Sequence, residues 1–280
     1  MKVTFHGVRG SFPSVTPANR RYGGNTAAIS LEVAGEPLLL LDLGTGLALV
    51  DGAVGRGADR DGAFEATALL THLHFDHIQG LPFFPPVLEA RTVLDIYGPR
   101  QPAGSLRQAV AGLIGPPYFP VPLDELPADL RFHEVLDETF AIGRATITAR
   151  PVRHLGPTVG YRVEWDGSTL AYVSDHQAPA ELDHVDDAVL ELCDGVDLLI
   201  HEAQYTPEEF REKPEWGHCT VDYALLVAQR AGARRLCLFH HDPSRSDDDL
   251  DALVAETVRR CEGTSVQEVT AAAEGCTILL

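Results

Sequence analysis

The chain has 280 residues, 45% of them apolar, and a formal net charge of −19. That length and apolar content allow one large α/β core, and residues 1–280 read as a single domain without linker, repeat or low-complexity tract. The charge argues against a broad grip on nucleic acid, because the densest basic clusters are the pairs Arg20-Arg21 and Arg234-Arg235, and no window approaches the roughly 18 uninterrupted apolar residues of a spanning helix.

In chain order, the start Met1–His6 carries one Lys and no long apolar run, so no secretory signal is expected. Strands are predicted near 3–6, 27–34, 37–42 and 66–71, with a short helix over 45–54 turned by Gly44 and Gly46. The apolar run Ala66–Leu70 leads into Thr71-His72-Leu73-His74-Phe75-Asp76-His77. Three imidazoles and a carboxylate at a strand end suit a pair of transition metals better than a packed core. Two Pro-rich segments follow, Leu81–Pro86 and Gly115–Pro122. Proline removes donors and fixes φ, so neither is a central strand. Phe83, Phe84, Tyr118 and Phe119 are expected either to cap surface loops or to wall the site with flat faces.

Further strands are predicted near 93–97, 131–135, 145–152, 159–164, 169–174, 197–202, 235–240 and 276–280. Amphipathic helices are predicted at 105–113, 219–231 and 246–261, the last with Ser246 as N-cap and Asp249 three residues on. This mixed order shows α/β or α+β and no more. The five cysteines are odd in number and scattered. They read as reduced thiols, which places the chain in the cytoplasm.

The H-x-H-x-D-H run resembles the signature of the metallo-β-lactamase superfamily, and the resemblance extends over nearly the whole chain. His154, Asp175 and His240 each follow a β-type run in the family's order. The family's four-layer αββα sandwich is the fold the resemblance implies. It also implies a ligand set: His72, His74 and His154 for one metal, Asp76, His77 and His240 for the second, and Asp175 bridging. Pro243 stands three residues after His240, as in the family, and favours it over His241. His176 is expected beside the ligands or at the surface. The cofactor implied is two divalent cations, zinc ahead of manganese or iron.

Three further segments resemble the ribonuclease Z-like phosphodiesterase branch: Gly7–Pro13 with Tyr22–Thr26 after it, Leu198–Ala203, and Gly217-His218-Cys219-Thr220. The branch implies phosphodiester hydrolysis by hydroxide held between the metals. Asp76 would hold the nucleophilic water, and His218, oriented by Glu202, would serve the leaving group as acid. No Gly- and Lys-rich arm for tRNA is present, and Pro17–Arg21 only weakly echoes the branch's basic loop. The expected substrate is therefore a small or cyclic nucleotide phosphodiester, with nucleic acid disfavoured and no membrane partner. A lactone or carboxyl-ester hydrolase and a ribonuclease Z-like nuclease are the alternatives. The homodimer common in the branch is the expected assembly.

Overall fold

The computed structural model describes residues 1–52, 55, 62–179, 181 and 183–280. Among the described residues, fourteen strands lie in two seven-stranded sheets. The first sheet takes β1 (Lys2–Gly7), β2 (Ala28–Glu32), β3 (Leu38–Leu41), β4 (Glu65–Leu69), β5 (Val93–Pro99) and β6 (Asp129–Val135). The second takes β7 (Glu138–Ile142), β8 (Ala145–Pro151), β9 (Val159–Trp165), β10 (Ser168–Val173), β11 (Leu198–Glu202), β12 (Arg235–Phe239) and β13 (Glu268–Ala271). The last strand, β14 (Thr277–Leu279), returns to the first sheet, whose order is β14-β1-β2-β3-β4-β5-β6; the second runs β13-β12-β11-β10-β9-β8-β7. In each sheet one half is antiparallel and the other parallel: β3 to β6 in the first, β10 to β13 in the second.

The two sheets face each other across an apolar layer that includes Phe5, Leu31, Leu69, Tyr161, Tyr172 and Phe239. Their outer faces are covered separately. α3 (Asp187–Cys193), α5 (Val221–Ala231) and α6 (Asp247–Cys261) pack on the second sheet. α2 (Leu106–Leu113) and short 3-10 turns pack on the first. This is the αββα sandwich. Parallel strands buried on both faces explain the continuous run Leu38–Leu41, every residue of which is buried. Among the described residues no helix is long and apolar enough to cross a membrane, and all five cysteines are free.

Several elements differ from the sequence expectation. The helix expected over 45–54 is a 3-10 turn at Thr45–Leu49, and residues 53 and 54 lie outside the described part. The edge strands β7 and β13 were not predicted: Glu138–Ile142 is mostly exposed and Glu268–Ala271 is four residues long, so neither carries an apolar run. α1 (Phe75–Ile78) is a single turn inside the His-rich motif, and α4 (Pro207–Glu212) has no buried residue, so periodicity detects neither. α3 is another short helix that was not predicted.

Candidate metal centre

The candidate ligands collect at strand ends. His72 to His77 follow β4, His154 follows β8, Asp175 follows β10 and His240 follows β12. His72, His74, His154 and Asp175 form one group and Asp76, His77 and His240 a second, with the donor atoms of each within 4.8 Å of one another. In the second group His240 Nε2 lies 3.1 Å from Asp76 Oδ2 and 3.3 Å from His77 Nε2. In the first, His154 Nε2 is 3.2 Å from His74 Nδ1, and His72 Nε2 is 3.8 Å from Asp175 Oδ1. A tetrahedral cation with bonds of about 2.0–2.1 Å separates its ligands by roughly 3.3–3.4 Å, so these spacings fit a cation in each group. Asp175 serves both, with Oδ1 3.7 Å from His154 Nε2 and Oδ2 3.1 Å from His77 Nε2. His72 Nε2 is buried without a hydrogen-bond partner, an atom that a metal would satisfy.

Acceptors behind the imidazoles fix which nitrogen faces the centre. His77 Nδ1 donates to Asp42 Oδ2 at 2.8 Å, His240 Nδ1 to Gln204 Oε1 at 2.9 Å, and His154 Nδ1 to the Gly217 carbonyl at 2.6 Å. The Thr71 hydroxyl gives its proton to Asp42 at 3.0 Å and so accepts from His72 Nδ1 at 3.1 Å. In all four, Nε2 is left with its lone pair directed at the centre. Asp42 is fully buried, stands at φ 57° just after β3, and also accepts from Tyr172 Oη at 2.7 Å. Sequence reasoning missed Asp42 and Gln204. An acid closing the run Leu38–Leu41 was a usable signal for the first, and nothing marked the second.

The neighbouring histidines separate cleanly. His240 turns into the centre, whereas His241 donates through Nε2 to the Ala272 carbonyl at 2.9 Å. His240 adopts φ 55°, a left-handed conformation rare outside glycine, which accompanies this divergence. A Cβ on Gly10 would come within 2.4 Å of His240 Nδ1, and one on Gly217 within 2.6 Å of His154 Nδ1, so both glycines make room for ligands. His176 is buried behind the centre, its Nδ1 3.1 Å from His201 Nε2.

The electrostatics call for positive charge. Burial would lower the His77 imidazole, yet Asp76, Asp175 and Asp42 hold it well above its ordinary value. Burial would raise the Asp76 carboxyl, yet His77 and His240 hold it well below the usual range. Three carboxylates around one imidazole favour positive charge at this place, which bound cations would supply. His72, with burial and His77 against it, is pushed well below its ordinary value and presents a neutral donor.

Beside the ligands, His218 Nδ1 lies 3.3 Å from Glu202 Oε1 and 3.6 Å from Asp175 Oδ1. Glu202 is fully buried at the end of β11 and also accepts from the backbone N–H of His176 at 2.6 Å and of Cys219 at 3.2 Å. Burial alone would lower His218, but Glu202, with Asp175 and Asp76 behind it, more than offsets this and raises the imidazole to about 9. Asp76 Oδ2 accepts from the Ser11 N–H at 2.7 Å, which ties the glycine-rich N-terminal loop to the centre.

A cleft of about 650 Å³ opens on these groups, with Asp76, His154, Asp175 and His218 at its floor and Phe12, Phe75, Tyr205 and Trp216 among its walls. The Pro-rich segments do not line it. Phe84 is buried against Phe64 at 5.3 Å, and Phe83 packs edge-on with Phe119 at 5.6 Å away from the cleft. The aromatic wall comes instead from the N-terminal loop, α1 and the segment around α4.

A family profile described as the β-lactamase superfamily domain matches residues 58–241. The chain belongs to the metallo-β-lactamase superfamily. It is a metal-dependent hydrolase of ribonuclease Z-like type. A ribonuclease Z of Natronomonas pharaonis is 27% identical over 90% of this chain and 92% of its own length. A protein of Mycobacterium tuberculosis described only as uncharacterised is 31% identical over 76% of this chain and 73% of its own. Among solved structures, the metallo-β-lactamase fold protein YhfI of Bacillus subtilis aligns with a TM-score of 0.72 at 22% identity, covering 99% of this chain and 98% of that one. Human tRNase Z, short form, aligns at 0.69 and 24% identity, covering 100% and 99%.

Proposed function

We propose that this superfamily member is a dinuclear metal-dependent phosphodiesterase acting on a small phosphodiester, a cyclic nucleotide first among the candidates. One observation carries the reading: His218, bonded to the buried Glu202, stands at the ligand cluster and faces the same cleft. A sugar alkoxide leaves poorly without a proton, and His218 is placed to give one. Glu202, held by two backbone N–H groups, orients the ring and supports its charged form.

His72, His74 and His154 would hold one cation, Asp76, His77 and His240 the other, and Asp175 both. Two such cations, zinc ahead of manganese or iron for this imidazole and carboxylate set, polarise a phosphoryl oxygen and acidify water at neutral pH. Asp76 is fixed by the Ser11 N–H, and its carboxylate would orient the attacking water. The cleft volume suits a nucleotide-sized molecule. Relatives named ribonuclease Z support the chemistry, while the acidic chain and a cleft with Lys213 as its one lysine or arginine among the described residues disfavour a long nucleic acid. A lactone also expels an alkoxide, so it is the relatives named ribonuclease Z that favour the diester over a lactone.

The test is hydrolysis of bis-p-nitrophenyl phosphate by metal-depleted protein with zinc, manganese or ferrous iron restored, alongside 3′,5′-cyclic nucleotides and a lactone. Metal-restored diester cleavage that Asp175→Ala abolishes is the expected result. Lactone turnover with no diester cleavage under any metal would overturn the reading.

A further inference from the structure

Lys2 and Lys213 are the chain's only lysines. Lys213 caps α4, is half-buried, and is the one lysine or arginine among the described residues lining the cleft. Its ammonium lies 4.9 Å from the centre of the Tyr205 ring and 5.4 Å from that of Trp216. Among the described residues no carboxylate pairs with it, although Glu212 and Glu215 are close in sequence and the chain is strongly acidic. An ammonium seated on two aromatic faces keeps its charge directed while leaving its protons free.

The seat is built rather than incidental. The Trp216 N–H donates to the Lys213 carbonyl at 3.2 Å, closing a turn. Gln177, two residues after Asp175, latches that turn on both sides. Its Nε2 donates to the Pro214 carbonyl at 2.6 Å, and its Oε1 accepts from the Gly217 N–H at 2.7 Å. The same Gly217 supports His154, so the turn is anchored to the metal centre. Lys213 is nevertheless not at the centre: it pairs with neither Asp76 nor Asp175, and the Tyr205 ring, 5.7 Å from that of His218, stands between. Trp216, 61% exposed, lies at the outer wall.

We propose that Lys213 is a specificity-determining residue that binds a second anionic group of the substrate, distinct from the scissile diester, with Trp216 as the platform beside it. This rests on the phosphodiesterase reading and narrows it. A diester, cyclic or linear, that carries an additional phosphate or carboxylate is preferred over one whose only charge is at the metals. A cation that no carboxylate among the described residues pairs with discriminates by charge, because a neutral group at that place leaves the ammonium unpaired.

The experiment compares the dinucleotide dApdA with and without a 5′-phosphate on the metal-loaded enzyme, in the natural protein, Lys213→Gln and Lys213→Arg. The expected result is a KM lower by roughly tenfold or more for the phosphorylated form. That advantage should disappear in Lys213→Gln, with KM for the two forms converging, and be largely kept in Lys213→Arg. Trp165 is buried and Trp216 exposed, so the rapid change in tryptophan fluorescence on mixing reports binding at Trp216 before turnover. Equal KM and equal fluorescence titrations for the two dinucleotides would overturn the proposal, as would a loss in Lys213→Gln that is the same for both. If no diester is cleaved but phosphate-dependent binding is seen and lost in Lys213→Gln, the anion site stands and the phosphodiesterase reading falls.

Discussion

At His218 two demands conflict: burial favours the neutral ring, and the surrounding carboxylates favour the charged one. The charged form wins, with the imidazole raised to about 9 chiefly against burial by Glu202. A proton donor must be protonated at the working pH, and two cations beside the ring oppose its charge, so in the loaded enzyme the basic limb of the kcat profile should lie below that value. Glu202→Gln removes the opposing charge, and the basic limb of the kcat profile should move toward acid by more than a unit; a limb that stays in place would show that another group sets it. His218→Ala should lower diester kcat roughly 10²-fold or more while metal content is kept, the range for a lost general acid. Gly10 offers a second residue-scale test. A Cβ there meets His240 Nδ1 and Gln204 Oε1, at 2.4 and 2.8 Å. Gly10→Ala should therefore retain the fold by circular dichroism and lose metal from the Asp76–His77–His240 group, giving about one equivalent in place of two by elemental analysis.

At the scale of elements, what the sequence made legible follows the physics of strand ends. Buried parallel strands carry continuous apolar runs, so β4, β10, β11 and β12 stood out together with the polar residues that end them. Helices α2, α5 and α6 were legible because each buries one periodic face under a capping side chain, Ser105, Thr220 or Ser246. β7 and α4 were not, since solvent-facing residues leave no pattern. The same reason hid the cleft wall. Proline and phenylalanine near the motif were conspicuous, yet Phe84 is a core residue, and the exposed Phe12 and Trp216 sit in segments without periodicity. Long-range partners were also out of reach: Asp42 is 35 residues from His77 and joins it only because β3 and β4 are adjacent parallel strands. Asp42 also anchors Thr71 and Tyr172, so Asp42→Asn weakens the support of several elements at once. Metal affinity should drop by roughly 10–100-fold, the usual cost of losing a carboxylate behind a ligating imidazole. Competition with a chromogenic chelator measures it, and an unchanged affinity would remove Asp42 from the metal's support.

At the scale of the whole molecule, the placement of the donors links metal binding to stability. The first sheet supplies His72, His74, Asp76 and His77, and the second supplies His154, Asp175 and His240. Each group draws from both, His72 and His74 facing His154 and Asp175, and Asp76 and His77 facing His240. A cation in either group therefore ties one sheet to the other, and the unfolded chain offers no such arrangement. Free metal at a thousand times its dissociation constant stabilises a one-site protein by about 4 kcal/mol. For a domain above 150 residues each kcal/mol moves Tm by about 2–4 °C, so chelation should lower Tm by roughly 10 °C and added zinc should restore it. Protons compete with cations for the imidazoles, most of all for His77, which its carboxylate neighbours hold well above the ordinary histidine value, so the metal-dependent part of Tm should shrink as pH falls. Asp175→Ala, which removes the carboxylate common to both groups, should make Tm nearly indifferent to the chelator and to that pH change. Scanning calorimetry with and without chelator at pH 7.5 and 5.5 gives all of these values, and a Tm that ignores the chelator in the natural protein would mean that the two sheets hold together without the metals.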